Sequence, residues 1–263
     1  MSADLAVLRN NLEALERVLV AFSGGADSAF LAWVAHDTLG YESARCFTAV
    51  SPSIADSELE ECARLAQEWG LNWEPIKTSE MENAAYRVND SDRCYYCKSA
   101  LMDVAEPVAQ LHDCVVVLGV NTDDLGDHRP GQSAAEERKA RFPLVEAKFS
   151  KADVRAHSQH LGLRTWDKPA AACLASRIPY GTEVSVSLLR KLDRAESALK
   201  ALGFEQLRVR DYGEVARLEF DLDQLSVALE RRIEIIEAVK AVGYQYVTLD
   251  LEGFRSGNLN HSI

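Results

Sequence analysis

The stretch VLVAFSGGADSAFLAWVAHDTLG, Val18–Gly40, joins a predicted strand to a predicted helix through a glycine-rich turn. Val18–Phe22 is a continuous apolar run rich in β-branched residues, which is typical of a strand buried on both faces of a parallel sheet. Ala29–Leu39 has the spacing of a helix. The sequence therefore predicts that the chain leaves a central strand and enters a helix within a few residues.

The glycine-rich turn brings hydrogen-bonding groups to the start of that helix. Gly24 and Gly25 admit close backbone approaches that a Cβ would block, and Asp27 and Ser28 can cap the first helical turn. The free N–H groups of a helix start carry about half a positive charge and readily bind phosphate. The turn predicts a phosphate site, and the alternative is an ordinary strand-to-helix turn in which Ser and Asp only cap.

Length and composition predict a globular protein. The chain has 263 residues, enough for one large or two small domains, and 47% of them are hydrophobic. It shows no apolar segment after a basic start, and no apolar run approaches the roughly 20 residues that span a bilayer. We expect a cytoplasmic protein with no membrane partner.

The charge balance argues against nucleic acid as a partner. The chain has 29 Lys and Arg against 41 Asp and Glu, a formal net charge of −12. Neutralisation of phosphates dominates nucleic-acid binding, so a broad nucleic-acid surface is not expected. A local basic pocket remains compatible with this balance.

The first half of the chain alternates between strand and helix patterns. Strand-like runs recur at Val18–Phe22, Arg45–Val50 and Cys114–Val120, while Leu59–Trp69 reads as an amphipathic helix and Asn72–Ile76 as another strand. Such alternation predicts an α/β fold with a parallel sheet.

A polar segment follows the last of these strands. Thr122–Arg141 is predicted as a loop over the carboxyl edge of the sheet, where open α/β folds bind ligands. Asn121, Asp124, His128 and Arg129 in or beside this segment fit a nucleotide and metal pocket. The alternative is a solvated charged loop.

The pattern changes after Pro179 and favours a smaller α+β domain. We predict a boundary near the Pro and Gly residues there, with domains at 1–178 and 179–263. The elements predicted in the second domain are a helix at Val186–Leu202, strands at Leu207–Asp211 and Val215–Phe220, a long helix at Leu222–Val242 and a strand at Tyr246–Leu251.

The turn SGGADS is not a P-loop of the Lys-Ser/Thr type, because no Lys follows the glycines. It resembles the PP-loop of the N-type ATP pyrophosphatases, which split ATP between the α and β phosphates. In that family the loop holds the pyrophosphate portion, and the Asp matching Asp27 helps to hold Mg²⁺, a hard cation that prefers oxygen ligands. The predicted ATP- and pyrophosphate-binding residues are Ser23, Gly24, Gly25, Asp27, Ser28, Asn121 and Asp124.

Further motifs extend the resemblance over nearly the whole chain. In order, they are SDRCYYCKSAL (Ser91–Leu101), GVNTDDLGDHRPG (Gly119–Gly131), PAAACLASRIPYG (Pro169–Gly181), LRVRDYGEVARLEF (Leu207–Phe220) and DLEGFRSGNLN (Asp250–Asn260). Together they resemble the LarE family, PP-loop sulfur transferases in the synthesis of the nickel-pincer nucleotide cofactor. The resemblance implies a homo-oligomer that adenylylates a carboxylate of pyridinium-3,5-biscarboxylic acid mononucleotide and displaces AMP with sulfur, leaving a thiocarboxylate.

The cysteines divide into two groups. Cys46, Cys62 and Cys114 fall in predicted strands or on an amphipathic helix, where a small hydrophobe packs well. Cys94 and Cys97 form a C-x-x-C in a polar segment. Cys173 lies far along the chain among small residues. These three cysteines are the candidates for chemistry, and they would be the ligands of a metal group.

Iron–sulfur chemistry suits these three residues better than zinc. A structural zinc site needs four ligands, and the chain offers no second C-x-x-C or paired His. Three thiolates on a 4Fe-4S cluster leave one iron that could hold an extra sulfide. The resemblance implies that family members with only the cysteine matching Cys173 sacrifice its sulfur and form dehydroalanine, whereas three-cysteine members carry the cluster. The sequence favours the cluster and leaves sacrifice of Cys173 as the alternative.

Arginines supply the predicted substrate site. Arg208 and Arg210 alternate along a predicted strand, so both project to one face and could clamp a phosphate. The resemblance implies that these two and Arg255 bind the phosphate of the substrate nucleotide or the released pyrophosphate; the alternative is that they are surface arginines. Ser176 and Arg177 follow the last cysteine closely enough to shape the same pocket.

Taken together, the sequence predicts an enzyme that uses ATP, Mg²⁺ and a 4Fe-4S cluster on a small pyridinium dicarboxylate nucleotide. The alternatives are another PP-loop enzyme, either an amidotransferase or a tRNA thiolase, and a scaffold that binds a nucleotide and an iron–sulfur group without turnover. The acidic balance disfavours tRNA.

Overall fold

A computed structural model describes residues 3–126, 130–169 and 172–255. Within these residues the helices are α1 (Leu5–Leu15), α2 (Ala26–Leu39), α3 (Asp56–Trp69), α4 (Ala84–Val88), α5 (Arg93–His112), α6 (Pro130–Glu137), α7 (Pro143–Glu146), α8 (Lys151–His160), α9 (Val186–Ala201), α10 (Leu225–Glu230) and α11 (Arg232–Ala241). The strands are β1 (Val18–Ala21), β2 (Ala44–Val50), β3 (Asn72–Lys77), β4 (Val115–Leu118), β5 (Leu207–Tyr212), β6 (Val215–Phe220) and β7 (Tyr246–Leu249).

The chain divides into two compact units. The first holds the described residues of 1–51, 56–83 and 92–171, and the second holds those of 52–55, 84–91 and 172–263. Two short segments from the first third of the chain thus belong with the C-terminal part. The division into domains at residue 178 stays a prediction, since a compact unit is not by itself an independently folding domain.

The first unit is built on a four-stranded sheet in the order β3-β2-β1-β4, in which every described pairing is parallel. Val18 of the central strand β1 lies opposite Ala44 of β2 and Val115 of β4. From β1 the chain adds β2 and β3 on one side and β4 on the other, so the strand order reverses between β1 and β4. The α/β fold with a parallel sheet is confirmed, and ligands of open α/β sheets bind at such a reversal.

Helices cover both faces of this sheet. Val18 and Val20 of β1 are fully buried in a cluster with residues of α1, α2, α3 and α8, including Leu65. Leu19 points to the opposite face and is buried with Met102 and other residues of α5. This alternation places β1 in the middle of a three-layer core, as its apolar run predicts.

Gly119, directly after β4, brings that strand close to the start of α2. A Cβ at position 119 would lie 2.8 Å from both the backbone N and the Cα of Ser28, and 3.0 Å from the carbonyl carbon of Asp27. No real Cβ tolerates backbone atoms at that distance. A glycine is therefore required where β4 ends against the first turn of α2.

The second unit is an α+β structure. Its sheet has the order β5-β6-β7, with β5 and β6 antiparallel and β6 and β7 parallel. Helix α9 packs on β5 and on α11, and its residues Leu192 and Leu199 are buried. The ring centroids of Phe204 and Phe220 lie 4.6 Å apart. The presence of an additional smaller α+β part is confirmed.

The prediction that Thr122–Arg141 is a loop was wrong in its second half. Thr122–Gly126 is a 3₁₀ turn, but Pro130–Glu137 forms helix α6. The helix packs on α5 through small residues: Ala135 is buried, and a Cβ on Gly131 would lie 3.0 Å from a carbonyl oxygen of α5. Close packing of small side chains stabilises this helix despite its polar sequence.

The predicted long helix at Leu222–Val242 is also interrupted. It consists of a 3₁₀ turn at Leu222–Gln224, then α10 and α11, with Arg231 between the two helices at φ −93° and ψ 18°. The Arg231 guanidinium donates to the Leu202 carbonyl at 2.5 Å. The same guanidinium also donates to Glu234 of α11, and hydrophobic periodicity reveals neither contact at the break.

None of the helices in the described part of the chain combines the length and the apolar character needed to cross a membrane.

Replacing Gly119 by Ala should destabilise the fold. The added Cβ would clash with the backbone of Ser28, so we expect the free energy of unfolding to fall by about 1–3 kcal/mol. Thermal and denaturant melts measure the change. Gly25→Ala is the matched control, since Gly25 has a φ of −74° and its Cβ would meet only the Ser23 hydroxyl at 3.5 Å. Equal melting temperatures for the two variants would contradict the close approach at Gly119.

Candidate functional site

The glycine-rich turn between β1 and α2 is closed by its own hydroxyl groups. Gly24 has a φ of +67°, which favours glycine, and Gly25 is the N-cap of α2. The Ser28 Oγ accepts from the Ser23 backbone N–H at 3.2 Å, lies 3.0 Å from the Ser23 Oγ and donates to the Gly25 carbonyl at 3.2 Å. Because its N-cap residue is a glycine, α2 begins without a side-chain cap, and its first N–H groups are suited to an anion.

Asp27 lies on the first turn of α2 and is held from two other parts of the chain. Its Oδ1 accepts from the Asn121 Nδ2 at 3.2 Å, and its Oδ2 pairs with the Lys151 Nζ at 2.7 Å. Asn121 follows β4, and Lys151 begins α8. The carboxylate therefore stands at the strand-order reversal, where the segments after β1 and β4 meet.

The 3₁₀ turn after β4 fixes Asn121 in place. The Asn121 backbone N–H donates to the Asp124 Oδ2 at 3.1 Å, and its Oδ1 accepts from the Asp123 N–H at 2.9 Å. Asp123 in turn accepts the backbone N–H of Lys151 at 2.9 Å. Asp123 and Asp124 thus act here by orienting their neighbours.

A second lysine lies against the glycine turn. The Lys168 Nζ donates to the Gly24 carbonyl at 3.1 Å and pairs with the Glu58 carboxylate at 2.8 Å. Beneath the turn, the Cys62 Sγ lies 3.0 Å from where a Cβ on Gly24 would stand. Burial raises the pKa of the Cys62 thiol to about 11, so this cysteine stays a packed, protonated thiol.

The charges around the turn suit a polyphosphate with its cation. The start of α2 carries a partial positive charge and the two lysines add full charges, while Asp27 supplies carboxylate oxygens. Mg²⁺ in proteins is held by one or two carboxylates together with substrate phosphates rather than by an all-protein cage. The oxygen donors of Asp27 fit such an ion.

The second unit presents Cys173 at the start of a short 3₁₀ turn, Leu174–Arg177. Its side chain is exposed, but its backbone is firmly held. The Cys173 carbonyl accepts from the Ser176 N–H at 2.9 Å and from the Arg177 Nη1 at 3.0 Å, and the Leu174 N–H donates to the Ser53 carbonyl at 2.8 Å. The turn offers the sulfur to solvent on a fixed backbone.

Two buried ion pairs support this turn. Arg177 donates to both oxygens of Glu196 at 2.9 and 3.0 Å. Arg210 donates to both oxygens of Glu219 at 3.0 and 2.9 Å, and its Nη1 reaches the Ser176 carbonyl at 2.7 Å. Arg177 and Arg210 are almost fully buried, and their contacts hold the turn that follows Cys173 in position.

The electrostatic surroundings of Arg208 differ from those of Arg177 and Arg210, which pair with glutamates. Burial and the nearby charges of Arg177 and Arg210 lower the pKa of Arg208 to about 10, and its guanidinium lies over the Phe254 ring at 4.8 Å from the centroid. A bound anion would relieve this crowding of positive charge. Arg255, by contrast, is exposed and pairs with Glu252.

Cys94 and Cys97 lie near the start of α5, as its second and fifth residues. Cys94 is exposed, Cys97 is partly buried, and burial lowers the pKa of the adjacent Lys98. They belong to the first unit, whereas Cys173 belongs to the second. Across the part of the chain that the structure describes, no group of three or more His, Cys, Asp or Glu side chains is placed to hold a metal ion.

Within each compact unit, the structure brings together part of the predicted set. Ser23, Gly24, Gly25, Asp27, Ser28, Asn121 and Asp124 come together in the first unit, and Cys173, Ser176, Arg177, Arg208 and Arg210 in the second. Cys46 and Cys62 are buried, as their positions predict. His128 and Arg129 of the predicted pocket lie outside the described residues.

Sequence reasoning missed the two lysines and the glutamates that hold the arginines. Lys151 follows Ser150, and Ser150 and Asp153 form a capping box that a pattern search can find. That pattern places Lys151 at a helix start but gives no indication of its contact with Asp27. Lys168 and Glu196 carry no local pattern that predicts their contacts.

A parallel sheet with a glycine-rich turn and a carboxylate at its strand-order reversal defines an α/β protein with the fold of the PP-loop kind. No protein-family model matches the chain. It is 36% identical, over its whole length and 96% of the relative, to the pyridinium-3,5-bisthiocarboxylic acid mononucleotide synthase of Lactiplantibacillus plantarum. The chain therefore belongs to the family of that synthase, the LarE family.

Two further relatives have no assigned activity. An uncharacterized protein of Synechocystis is 46% identical over the whole chain and 99% of the relative. An uncharacterized protein of Methanocaldococcus jannaschii is 30% identical over 95% of this chain and 96% of the relative. The similarity thus covers nearly the full length of this chain and of each of these relatives.

Substitution of Arg208 should mainly weaken anion binding, whereas substitution of Arg210 should mainly lower the free energy of unfolding. Arg210→Met leaves the buried Glu219 without its bidentate partner, and we expect a loss of about 3 kcal/mol in the free energy of unfolding. Arg208→Met keeps most of the apolar packing, so we expect a small change in melting temperature but at least about tenfold weaker binding of pyrophosphate. Melting curves and calorimetric titration measure both quantities.

Arg190→Met, which removes an exposed arginine of α9, is the control for loss of charge alone. The assignment fails if Arg208→Met and Arg210→Met lose the same stability and bind pyrophosphate like the control.

Proposed function

We propose that this protein is an ATP-dependent sulfurtransferase acting on pyridinium-3,5-biscarboxylic acid mononucleotide. A substrate carboxylate attacks the α-phosphorus of ATP, which forms an acyl adenylate and releases pyrophosphate. Sulfur then attacks the acyl carbon, AMP leaves and a thiocarboxylate remains. Adenylylation is needed because a carboxylate oxygen is a poor leaving group.

The observation that carries this proposal is the position of Asp27 on the uncapped start of α2. The N–H groups of that turn suit the β and γ phosphates, and the Asp27 carboxylate suits the accompanying Mg²⁺, which would neutralise charge on the phosphates. The name of the relative from Lactiplantibacillus plantarum supports the choice of a pyridinium mononucleotide as the small-molecule substrate.

Arg208 is the proposed contact for the phosphate of that mononucleotide. It lies in the same unit as Cys173, behind whose turn Arg177 and Arg210 are held by glutamates. A partly buried guanidinium that lies near Arg177 and Arg210 and has a lowered pKa gains by pairing with a phosphate. Ser176 and Arg255 remain proposed members of the substrate site.

The proposed sulfur source involves Cys173, Cys94 and Cys97. Thiolates are suitable ligands for a 4Fe-4S cluster, and three of them leave one iron to which an additional sulfide can bind. The chain's own contribution is a C-x-x-C near the start of α5, with Cys94 exposed and Cys97 partly buried, and an exposed Cys173 on a fixed turn.

A second candidate route uses Cys173 itself as the donor. Its sulfur would form a thioester as AMP leaves, and elimination of the Cα proton with cleavage of the Cβ–S bond would leave dehydroalanine and the thiocarboxylate. The exposure of Cys173 on an anchored backbone favours this alternative as well. A PP-loop amidotransferase, a tRNA thiolase or a non-catalytic scaffold would share the first unit and release no pyrophosphate with this substrate. A homo-oligomer in the cytoplasm stays a prediction.

Asp27→Asn should abolish ATP cleavage while leaving the fold intact. We expect pyrophosphate release in the presence of the pyridinium substrate to fall by at least about a hundredfold, because a charged ligand of Mg²⁺ is lost. The control is Asp37→Asn on the same helix, since Asp37 pairs with Arg9 on the protein surface. Release at the wild-type rate by Asp27→Asn would remove this carboxylate from the mechanism.

The two sulfur routes predict different effects of replacing the cysteines. If Cys94, Cys97 and Cys173 hold one cluster, replacing any of them by Ala should lower iron and sulfide content after anaerobic reconstitution and stop repeated transfer. Pyrophosphate release should survive in all three variants. Cys114→Ala is the control, because Cys114 is half-buried and lies outside the predicted set.

If Cys173 is sacrificed, only Cys173→Ala should abolish transfer. Intact-protein mass spectrometry after one turnover distinguishes the routes, since the spent chain would be lighter by the mass of hydrogen sulfide. That lost mass in an anaerobically prepared sample would refute the cluster route. An unchanged mass with several turnovers per chain would refute sacrifice.

A further inference from the structure

Lys151 is the cation that neutralises Asp27 in this structure. Its Nζ lies 2.7 Å from the Asp27 Oδ2, and the two side chains are 35% and 17% exposed. The remaining oxygen of Asp27 accepts from the Asn121 amide, a neutral group. Lys151 therefore stands where a positive charge is needed and where a Mg²⁺ ion at Asp27 would also have to bind.

The backbone holds Lys151 at this place. Its N–H donates to the Asp123 Oδ2 at 2.9 Å, and the Ser150–Asp153 capping box fixes the start of α8. Asp123 lies in the turn after β4, so the lysine is tied to the same strand-order reversal as Asp27. The ion pair thus joins two elements whose backbones are held by hydrogen bonds.

The location is unfavourable for a lysine by itself. The first residue of a ten-residue helix lies at the positive end of the helix dipole, where a cation is disfavoured. The Asp27 carboxylate compensates this repulsion. A ligand that takes over Asp27 would leave the ammonium beside the starts of α2 and α8, in a region of concentrated positive charge that attracts phosphate oxygens.

We propose that Lys151 occupies the place of the divalent cation at Asp27 until the metal–nucleotide complex arrives. This inference rests on the proposed function. The cation then takes the carboxylate oxygen, and the ammonium pairs with a phosphate oxygen. Free divalent cation is kept out, because it would have to displace Lys151 with no anion to receive the ammonium. Metal and nucleotide consequently bind together.

Lys168 provides an internal comparison. Its ammonium is held by Glu58 and by the Gly24 carbonyl, on the glycine side of the turn. It pairs with a different carboxylate, so its removal should leave the competition at Asp27 unchanged. Both lysines add charge next to the phosphate turn, so a general electrostatic effect would appear equally in both variants.

Binding of Mn²⁺ to the nucleotide-free protein, followed by electron paramagnetic resonance, tests the proposal. Lys151→Met should bind Mn²⁺ at least about fivefold more tightly than wild type, as expected for a coupling between two groups at one site. Lys168→Met and Lys200→Met, the latter on the exposed surface of α9, should bind like wild type. The double variant Asp27→Asn with Lys151→Met should lose the gain.

The second measurement is binding of α,β-methylene-ATP with Mn²⁺. Lys151→Met should weaken it by at least about fivefold, because the phosphate loses its ammonium partner. The opposite signs of the two effects distinguish exchange of partners from a structural role, which would weaken both. Melting curves confirm that the variants are folded.

Unchanged or weaker Mn²⁺ binding by folded Lys151→Met would overturn the proposal, as would a gain that persists in the double variant or appears equally in Lys168→Met. Pyrophosphate release by wild type with the pyridinium substrate is measured in parallel. Absence of release together with the expected Mn²⁺ pattern would refute the proposed function and leave the exchange of partners standing at a nucleotide site. Release together with unaltered Mn²⁺ binding would refute the exchange alone.

Discussion

The close approach of β4 to the first turn of α2 is the constraint on which the first unit depends. Gly119 allows the backbone of that turn to lie against the strand end, at the reversal of strand order between β1 and β4. This contact decides where α2 begins and which direction its free N–H groups face. It also brings the segment after β4, with Asn121, within hydrogen-bonding distance of Asp27.

The second unit positions its groups by a different physical means. The pair of Arg177 with Glu196 connects the turn after Cys173 to helix α9. Arg210, which pairs with Glu219 of β6, connects the same turn to strand β5 through the Ser176 carbonyl. A buried ion pair contributes little net stability compared with an apolar contact of the same size, but it is costly to break and demands a defined geometry. The main effect of these two ion pairs is therefore to fix the position of the turn, and they add little to the free energy of unfolding.

Local sequence was sufficient for the strand, glycine turn and helix at Val18–Leu39, because apolar periodicity and glycine placement act between near neighbours. The helix at Pro130–Glu137 escaped prediction because its support comes from small residues packed on α5, and composition alone reads as a loop. Hydrophobic periodicity likewise continued through Arg231, where the chain breaks its helix.

Contacts between distant residues mark the limit of what the sequence could predict at the site. Asp27 was recognisable from six adjacent residues, but its partner Lys151 lies 124 positions further along the chain. Arg210 was predicted to meet a phosphate, yet its guanidinium pairs with Glu219 of the neighbouring strand and also donates to the Ser176 carbonyl. Residue type and spacing predict the chemistry that a side chain can perform, whereas tertiary contacts decide which partner it has.

The anchoring of Cys173 has a consequence for the life of each copy of the protein. The described hydrogen bonds of its turn use main-chain atoms of Cys173, so a chemical change at the sulfur removes none of their donors or acceptors. A chain altered at the Cys173 sulfur and an unaltered chain should then differ little in their free energy of unfolding. Proteases that select chains by their tendency to unfold would degrade both at similar rates. A copy altered at this sulfur would therefore persist in the cell as long as an unaltered one.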